Sequence, residues 1–176
     1  TWEMALLLGV AIALFATSWA SCRQQELETR VVRLHVLANS DSAQDQALKL
    51  DVRDAVLAQA SMYLTHCHTT QQAKEVLSQH LQPLADTAAQ TIARKGYDYA
   101  VKVSLERTYF PTKVYADFSL PAGEYQGLRV EIGRAEGHNW WCVVFPPLCF
   151  SSVSEQSETA LRSGLTEDDL ALLTGE

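Results

Sequence analysis

The sequence predicts an α+β fold in the order β-α-α-β-β-β-β: an antiparallel sheet of about five strands with two helices packed on one face. Two observations predict it. Apolar side chains recur with the period of a helix over residues 42–96, and they then alternate with polar ones, as in strands, over residues 99–145. The chain has 176 residues, of which 47% are hydrophobic and 20% charged, so it has room for one globular domain with a core.

The first strand is predicted over residues 32–37, where apolar and polar side chains alternate as they do in a half-buried strand. It ends at residues 39–41, the turn-forming sequence Asn-Ser-Asp. A first helix is predicted from its N-cap, Ser42, to about Leu64. We expect Asp45 and Lys49 to form a supporting pair on the exposed face of this helix.

A second helix is predicted to begin at the capping-box pair Thr69 and Gln72 and to end at Gly96. Pro83 lies inside it, and we expect a kink or a division into two helices there. Four strands follow, separated by turns that contain proline or glycine. They are predicted around residues 99–106, 114–118, 128–132 and 140–145.

The N-terminal residues predict export. No charge occurs over residues 4–22, and an apolar stretch is followed by Ser18 and Ala20, the small residues that a signal peptidase requires. Cleavage after Ala20 is one prediction, and an uncleaved signal anchor or a lipid-modified Cys22 are the alternatives. The predicted organisation is a leader or anchor over residues 1–20, a linker over 21–30, a folded domain over 31–150 and a tail over 151–176.

Composition argues against several classes of partner. The net charge of −7, with scattered lysines and arginines, disfavours nucleic acid and anionic lipid, which both select a basic surface. No phosphate-binding glycine loop is present, and we expect no cofactor and no small-molecule substrate. Residues 66–68, His-Cys-His, together with His35 or His80 suggest a metal site. Their spacing matches no standard zinc pattern, so we expect no metal there. His35 faces the polar side of its predicted strand, so we expect it at the surface.

The four cysteines are compatible with disulfides in an exported protein. We favour a Cys142–Cys149 bond, which would stabilise the fold by about 2.5 kcal/mol through the entropy of the unfolded chain; two buried thiols are the alternative. An extracytoplasmic thiol hydrolase acting on cell-envelope material, with Cys142 as nucleophile and His138 as base, is the enzyme hypothesis. On one extended strand these two residues share a face but lie about 13 Å apart, too far for a hydrogen bond.

Residues 138–150 are the predicted contact with another protein. Adjacent Trp140 and Trp141 must point to opposite faces of a strand, so one can fill the core while the other faces outward or lies under a loop. An outward tryptophan beside a rigid proline pair has the features of a binding hot spot; burial of both tryptophans is the alternative. The predicted partner-binding residues are His138, Asn139, Trp140, Trp141, Pro146 and Pro147, with Asn39 and Asp41 as a second candidate patch.

Several blocks of the sequence resemble the stage II sporulation protein R family. They are HVLANSDS at residues 35–42, RTYFPTK at 107–113, LPAGEY at 120–125 with LRV at 128–130, and GHNWWCV at 137–143 followed by FPPLCF at 145–150. Together they extend over residues 31–150 in the expected order, and the last block is the most specific. One departure is Ala135, which stands where the family pattern leads us to expect glycine in a turn.

The resemblance implies a protein of endospore-forming bacteria, made in the forespore and exported into the space between forespore and mother cell. There it is expected to activate a membrane-embedded aspartic-type protease, its receptor, which removes the pro-segment of the mother-cell sigma factor E. The resemblance therefore implies a signalling ligand rather than an enzyme, and it brings no catalytic residues. A structural module of the cell envelope is the third hypothesis.

Overall fold

The structure is a computed structural model that describes residues 2–114 and 119–149. The predicted tail over 151–176, and all but the first residue of the strand predicted at 114–118, lie outside the described residues. The elements, in chain order, are helix α1 (Trp2–Arg30), strand β1 (Val32–Leu37), helices α2 (Ala43–Leu64), α3 (Thr70–Gln79) and α4 (Leu81–Arg94), and strands β2 (Val101–Phe110), β3 (Lys113–Val114), β4 (Ser119–Leu120), β5 (Gly123–Ile132) and β6 (Asn139–Phe145).

Helix α1 continues through residues 21–30, the predicted linker. Apolar side chains are exposed along its first half, among them Leu6, Ile12 and Phe15. None of the helices that the structure describes is long and apolar enough to cross a membrane. Export by way of the N-terminal segment stays a prediction.

The main sheet has four strands in the order β2-β5-β1-β6, and β3 and β4 form a separate two-stranded sheet. The predicted α+β class is confirmed. The sheet is mixed rather than antiparallel throughout, because β1 lies between β5, to which it is parallel, and β6, to which it is antiparallel. Strand β2 completes the sheet as the antiparallel neighbour of β5.

The central position of β1 explains one wrong expectation. All six of its residues are buried, whereas the alternation of its sequence predicted a half-buried strand. Leu34 and Val36 face the main core, and Arg33 and His35 are buried on the opposite face of the sheet. A strand with neighbours on both edges and side chains packed over both faces leaves no position for an exposed residue.

Helices α2, α3 and α4 cover one face of the sheet. The predicted N-cap is confirmed, because Ser42 Oγ accepts a hydrogen bond from the Asp45 backbone amide. The second predicted helix divides at His80 into α3 and α4, so that Pro83 lies in the first turn of α4, where no hydrogen bond from its nitrogen is needed. The apolar core between helices and sheet includes Leu34, Val36, Leu48, Val52, Val56, Leu77, Leu84, Ile92, Leu128 and Val130.

A second, smaller cluster lies on the other face of the sheet. The fully buried Arg33 guanidinium is 4.4 Å from the ring centroid of Phe110 and 4.8 Å from that of Tyr125. The cluster contains Val31, Phe110, Leu120, Tyr125, Val143 and Leu148, with Trp141 packed against it. Aromatic rings around the cation compensate part of the hydration that it loses on burial.

Candidate partner-binding site

The turn after β1 is organised by a buried carboxylate. Asp45, 4% exposed, accepts hydrogen bonds on Oδ2 from Ser40 Oγ at 2.6 Å and from Asn39 Nδ2 at 2.8 Å. These bonds, led by that from Ser40, hold the pKa of Asp45 below its usual value. The sequence predicted that Asp45 would lie on the exposed face of α2. That prediction is wrong, because the turn folds back over the first turn of the helix.

The connection from β5 to β6 packs against this turn. The Arg134 backbone amide donates to Asn39 Oδ1 at 3.0 Å, and the Gly137 amide donates to the Ala38 carbonyl at 2.9 Å. A side chain at position 137 would clash with the Ser40 backbone, so only glycine permits this approach. Ala135 has a φ of +54°. The departure noted in the sequence therefore falls on a left-handed residue, a conformation that glycine adopts at less cost.

Lys49 joins helix α2 to the same connection. Its Nζ donates to the His138 carbonyl at 2.9 Å and to Gln46 Oε1 at 2.6 Å. Lys49 is 5% exposed, and burial lowers its pKa. Lys49 is thus buried and bonded to Gln46 and the His138 carbonyl rather than to Asp45, which corrects the predicted exposed pair. Sequence reasoning missed this role, although Gln46 and Lys49 stand three residues apart and so share a face of the helix.

Asp41 and His138 close the site at the surface. Asp41 Oδ1 accepts a hydrogen bond from the His138 backbone amide at 2.6 Å. The same oxygen lies 2.5 Å from Nδ1 of the His138 ring. The contact with the His138 ring, followed by that with its amide, holds the pKa of Asp41 below its usual value. Both side chains remain largely in solvent, at 79% exposure for His138 and 57% for Asp41. The two separately predicted patches thus meet. We call Asn39, Asp41, Asp45, Lys49 and His138 the corner.

The two tryptophans of β6 point to opposite faces, as predicted. Trp140 is 37% exposed and lies beside the corner, with the Arg53 guanidinium 4.2 Å from its ring centroid. Trp141 lies on the other face, where its ring stacks on His35 with centroids 3.7 Å apart. Of the two, Trp140 is the more available for contact with a partner.

His35 is buried, which corrects its predicted surface position. It is 6% exposed beneath Trp141, and Asn139 Oδ1 lies 2.8 Å from its Nε2. Burial is the main cause that lowers its pKa. Asn139, predicted to bind a partner, thus also holds a buried histidine, although its own side chain is on the exposed strand end.

The proline pair lies at the opposite end of β6 from the corner. Pro146 is buried and Pro147 is exposed, and a seven-residue strand separates them from His138 by roughly 25 Å. The structure therefore brings His138, Asn39 and Asp41 together with Trp140, but leaves the prolines elsewhere. Their predicted role in binding stays a prediction.

Cys142 and Cys149 form the favoured disulfide, with Cα atoms 6.0 Å apart. In this state Cys142 carries no thiolate, which a cysteine nucleophile requires. His138 moreover contacts Asp41, not the sulfur. The arrangement postulated for a thiol hydrolase is thus not assembled in the described residues.

The residues suggested as metal ligands are also separated. His80 stacks on Tyr63 with ring centroids 4.0 Å apart, whereas His35 stacks on Trp141 across the sheet. Cys67 is half-buried, and burial raises the pKa of its thiol. Within the described residues, no group of three or more histidine, cysteine, aspartate or glutamate side chains is placed to hold a metal ion.

Fold and site together define an α+β protein whose candidate site is an exposed surface held by a buried polar network. The chain belongs to the stage II sporulation protein R family, whose sequence model matches residues 28–155. It is 33% identical over 180 residues to the stage II sporulation protein R of Bacillus subtilis (strain 168), and the alignment covers 97% of this chain and 80% of that protein. No solved structure matches the chain.

Proposed function

We propose that this protein is an exported sporulation signal that activates a membrane-embedded aspartic-type protease and so leads to processing of the mother-cell pro-sigma factor E. Membership of a sporulation protein family supports a role in sporulation. The partner and the compartment follow from the resemblance described above. In this proposal the protein acts by surface contact and performs no chemistry of its own.

The observation that carries the proposal is the construction of the corner. Asp41 and His138 are exposed, yet they bond to each other, and buried Lys49 donates a hydrogen bond to the His138 carbonyl. A surface whose side chains are already ordered loses little conformational entropy when a partner binds. Trp140 stands next to it on β6 with part of its ring in solvent, and tryptophan is the residue type most enriched in binding hot spots.

Reconstitution tests the proposed function. Purified protein, the candidate membrane protease in lipid vesicles, and its pro-protein substrate are combined, and cleavage of the pro-segment is followed over time. We expect cleavage to depend on this protein and to saturate as its concentration rises. Cleavage at the same rate without it would contradict the proposal.

A second reaction separates the proposed function from the enzyme hypothesis. The protein is incubated alone with cell-envelope material, before and after reduction of the Cys142–Cys149 bond. We expect no product in either case. Turnover that appears on reduction and disappears in Cys142→Ser would instead establish a thiol hydrolase.

A further inference from the structure

Strand β2 and strand β6, which begins next to the corner, are the two opposite edges of the main sheet. Strand β2 has ten residues and lies at one end of the four-stranded sheet, with β5 as its one strand neighbour in the described residues. An edge strand of this length carries backbone N–H and C=O groups that a further strand can bind.

The direction of these backbone groups follows from the pairing with β5. Gly133 N donates to the Ala100 carbonyl at 2.8 Å, and hydrogen-bonded pairs in an antiparallel ladder recur at every second residue. The even-numbered residues of β2 therefore bond to β5. The odd-numbered ones, including Val103 and Leu105, turn their backbone groups to the outer edge.

The side chains along β2 are complementary to themselves. Lys102, Ser104 and Glu106 occupy successive positions on the helix-free face of the sheet. When two copies of this strand run antiparallel with Ser104 opposite Ser104, each Lys102 stands opposite a Glu106, and each Val103 opposite a Leu105. Opposite charges on facing positions stabilise a strand pair.

We propose that a second copy of this chain pairs with the first along β2, antiparallel and centred on Ser104, so that the two sheets form one continuous eight-stranded sheet. The two-fold axis closes the assembly at two copies with respect to this edge. In this dimer Val103 and Leu105 exchange backbone hydrogen bonds, and Ser104 faces its counterpart in the closer, non-hydrogen-bonded type of pair.

Charge favours this register over those centred on residues 102 and 106. Centring the pair on residue 102 would place lysine opposite lysine, and centring it on residue 106 would place glutamate opposite glutamate, both of which are unfavourable. Within one copy, Lys102 lies 3.7 Å from Glu131, and Glu106 lies 3.5 Å from Arg129. Both contacts are long, and Lys102 and Glu106 are 74% and 46% exposed, so both side chains can extend the charge ladder to a second copy.

Ser104 supplies an independent observation. Its Oγ is buried without a hydrogen-bond partner in the part of the chain that the structure describes. Such a group is uncommon, because a buried hydroxyl loses its hydration. A rotation of the Ser104 side chain about χ1 would turn this hydroxyl to Ser104 of a second copy, which can both donate and accept a hydrogen bond.

Substitutions that exchange the charges of Lys102 and Glu106 test the proposal. The dissociation constant of the dimer is measured by sedimentation velocity over a range of protein concentrations. One strand pair buries little area, so we expect a weak dimer with a Kd on the order of 10–100 μM. Lys102→Glu and Glu106→Lys are each expected to weaken association about ten-fold or more, and an equimolar mixture of the two variants to restore it. Helix α1 is the same in all samples, so association through this helix would not change with the charge substitutions. Equal association of the single variants and wild type would overturn the proposal, as would a mixture that fails to recover.

Cysteine cross-linking tests the register. In a chain with Cys22→Ser and Cys67→Ser, we expect Ser104→Cys to form a disulfide-linked dimer under mild oxidation, because facing Cα atoms in a non-hydrogen-bonded pair are about 4.5 Å apart. Lys102→Cys is the matched control, since two copies of residue 102 would be roughly 13 Å apart. Cross-linking of the control in preference to Ser104→Cys would overturn the proposed register.

Discussion

The buried and exposed halves of the corner are built from the same kinds of residue but are held in opposite environments. Asn39, Asp45 and Lys49 are removed from solvent and bond to backbone or to one another, whereas Asp41 and His138 are bonded to each other at the surface. Polarity alone therefore does not separate a residue that supports the fold from one that can bind a partner. Burial predicts which of these side chains stabilise the fold, and exposure indicates which are free to bind.

Asn39→Ala is expected to have the largest effect on stability. It removes the hydrogen-bond donor to the buried Asp45 carboxylate and the acceptor of the Arg134 backbone amide. Each of these two groups then lacks one hydrogen bond. We expect a loss of about 3 kcal/mol in the free energy of unfolding, measured by urea denaturation. Asp41→Ala is the control from the exposed half. A loss of similar size in Asp41→Ala would break the distinction between the two halves.

The buried histidine beneath Trp141, His35, is expected to give stability a dependence on pH. Burial lowers the pKa of His35 from 6.5, so the unfolded chain binds a proton at a higher pH than the folded one. Stability is therefore lost as the pH falls from about 6.5 toward the lower folded pKa. His35→Phe should retain stacking on Trp141 and reduce this slope, measured by urea denaturation between pH 4 and pH 7. An unchanged slope would show that His35 is not the group responsible.

Ala135→Gly is expected to have a smaller effect, of the opposite sign. At a φ of +54° alanine is strained and glycine is not, while glycine gains freedom in the unfolded chain. The balance predicts a gain of about 0.5–1 kcal/mol. Ala89→Gly, at an exposed position inside α4, is the control and should lose about 1 kcal/mol. A loss of stability in both variants would argue against the left-handed conformation of residue 135.

His138→Ala is expected to change stability least. Its side chain is 79% exposed, and its backbone bonds to Asp41 and Lys49 do not depend on the ring. We expect a change below about 0.5 kcal/mol in the free energy of unfolding. A larger loss would place His138 in the supporting half and would leave Trp140 as the main candidate for contact.

Local features of the fold could be predicted from the sequence, because their causes are local. Ser42 caps α2, Thr69 caps α3 and Gly96 ends α4 as predicted, since capping depends on residues three or four positions away. The order of the strands could not be predicted in this way. The alternating pattern in β1 is the same for an edge strand and a central one, and the neighbours of β1 come from residues about ninety or more positions later.

The candidate site also has one part that local sequence could predict and one part that it could not. The sequence indicated Asn39, Asp41 and His138 as separate candidates, but no local rule could show that Asp41 and His138 meet across 97 residues. For the same reason Lys49 looked like a surface lysine, because its acceptor is a carbonyl 89 residues away. Helical spacing shows which face a residue shares with its neighbours, and tertiary packing decides what covers that face.

The central claim, that the exposed half of the corner binds the receptor, is tested most directly by the concentration dependence of pro-protein cleavage in the reconstituted system. We compare wild type with His138→Ala and Trp140→Ala, and use Met62→Ala, a substitution of an exposed apolar residue of α2 away from the corner, as the matched control. The prediction is that both corner variants, shown to be folded by circular dichroism, lose activation at least about ten-fold, and that Met62→Ala activates like wild type. Full activation by both corner variants would contradict it.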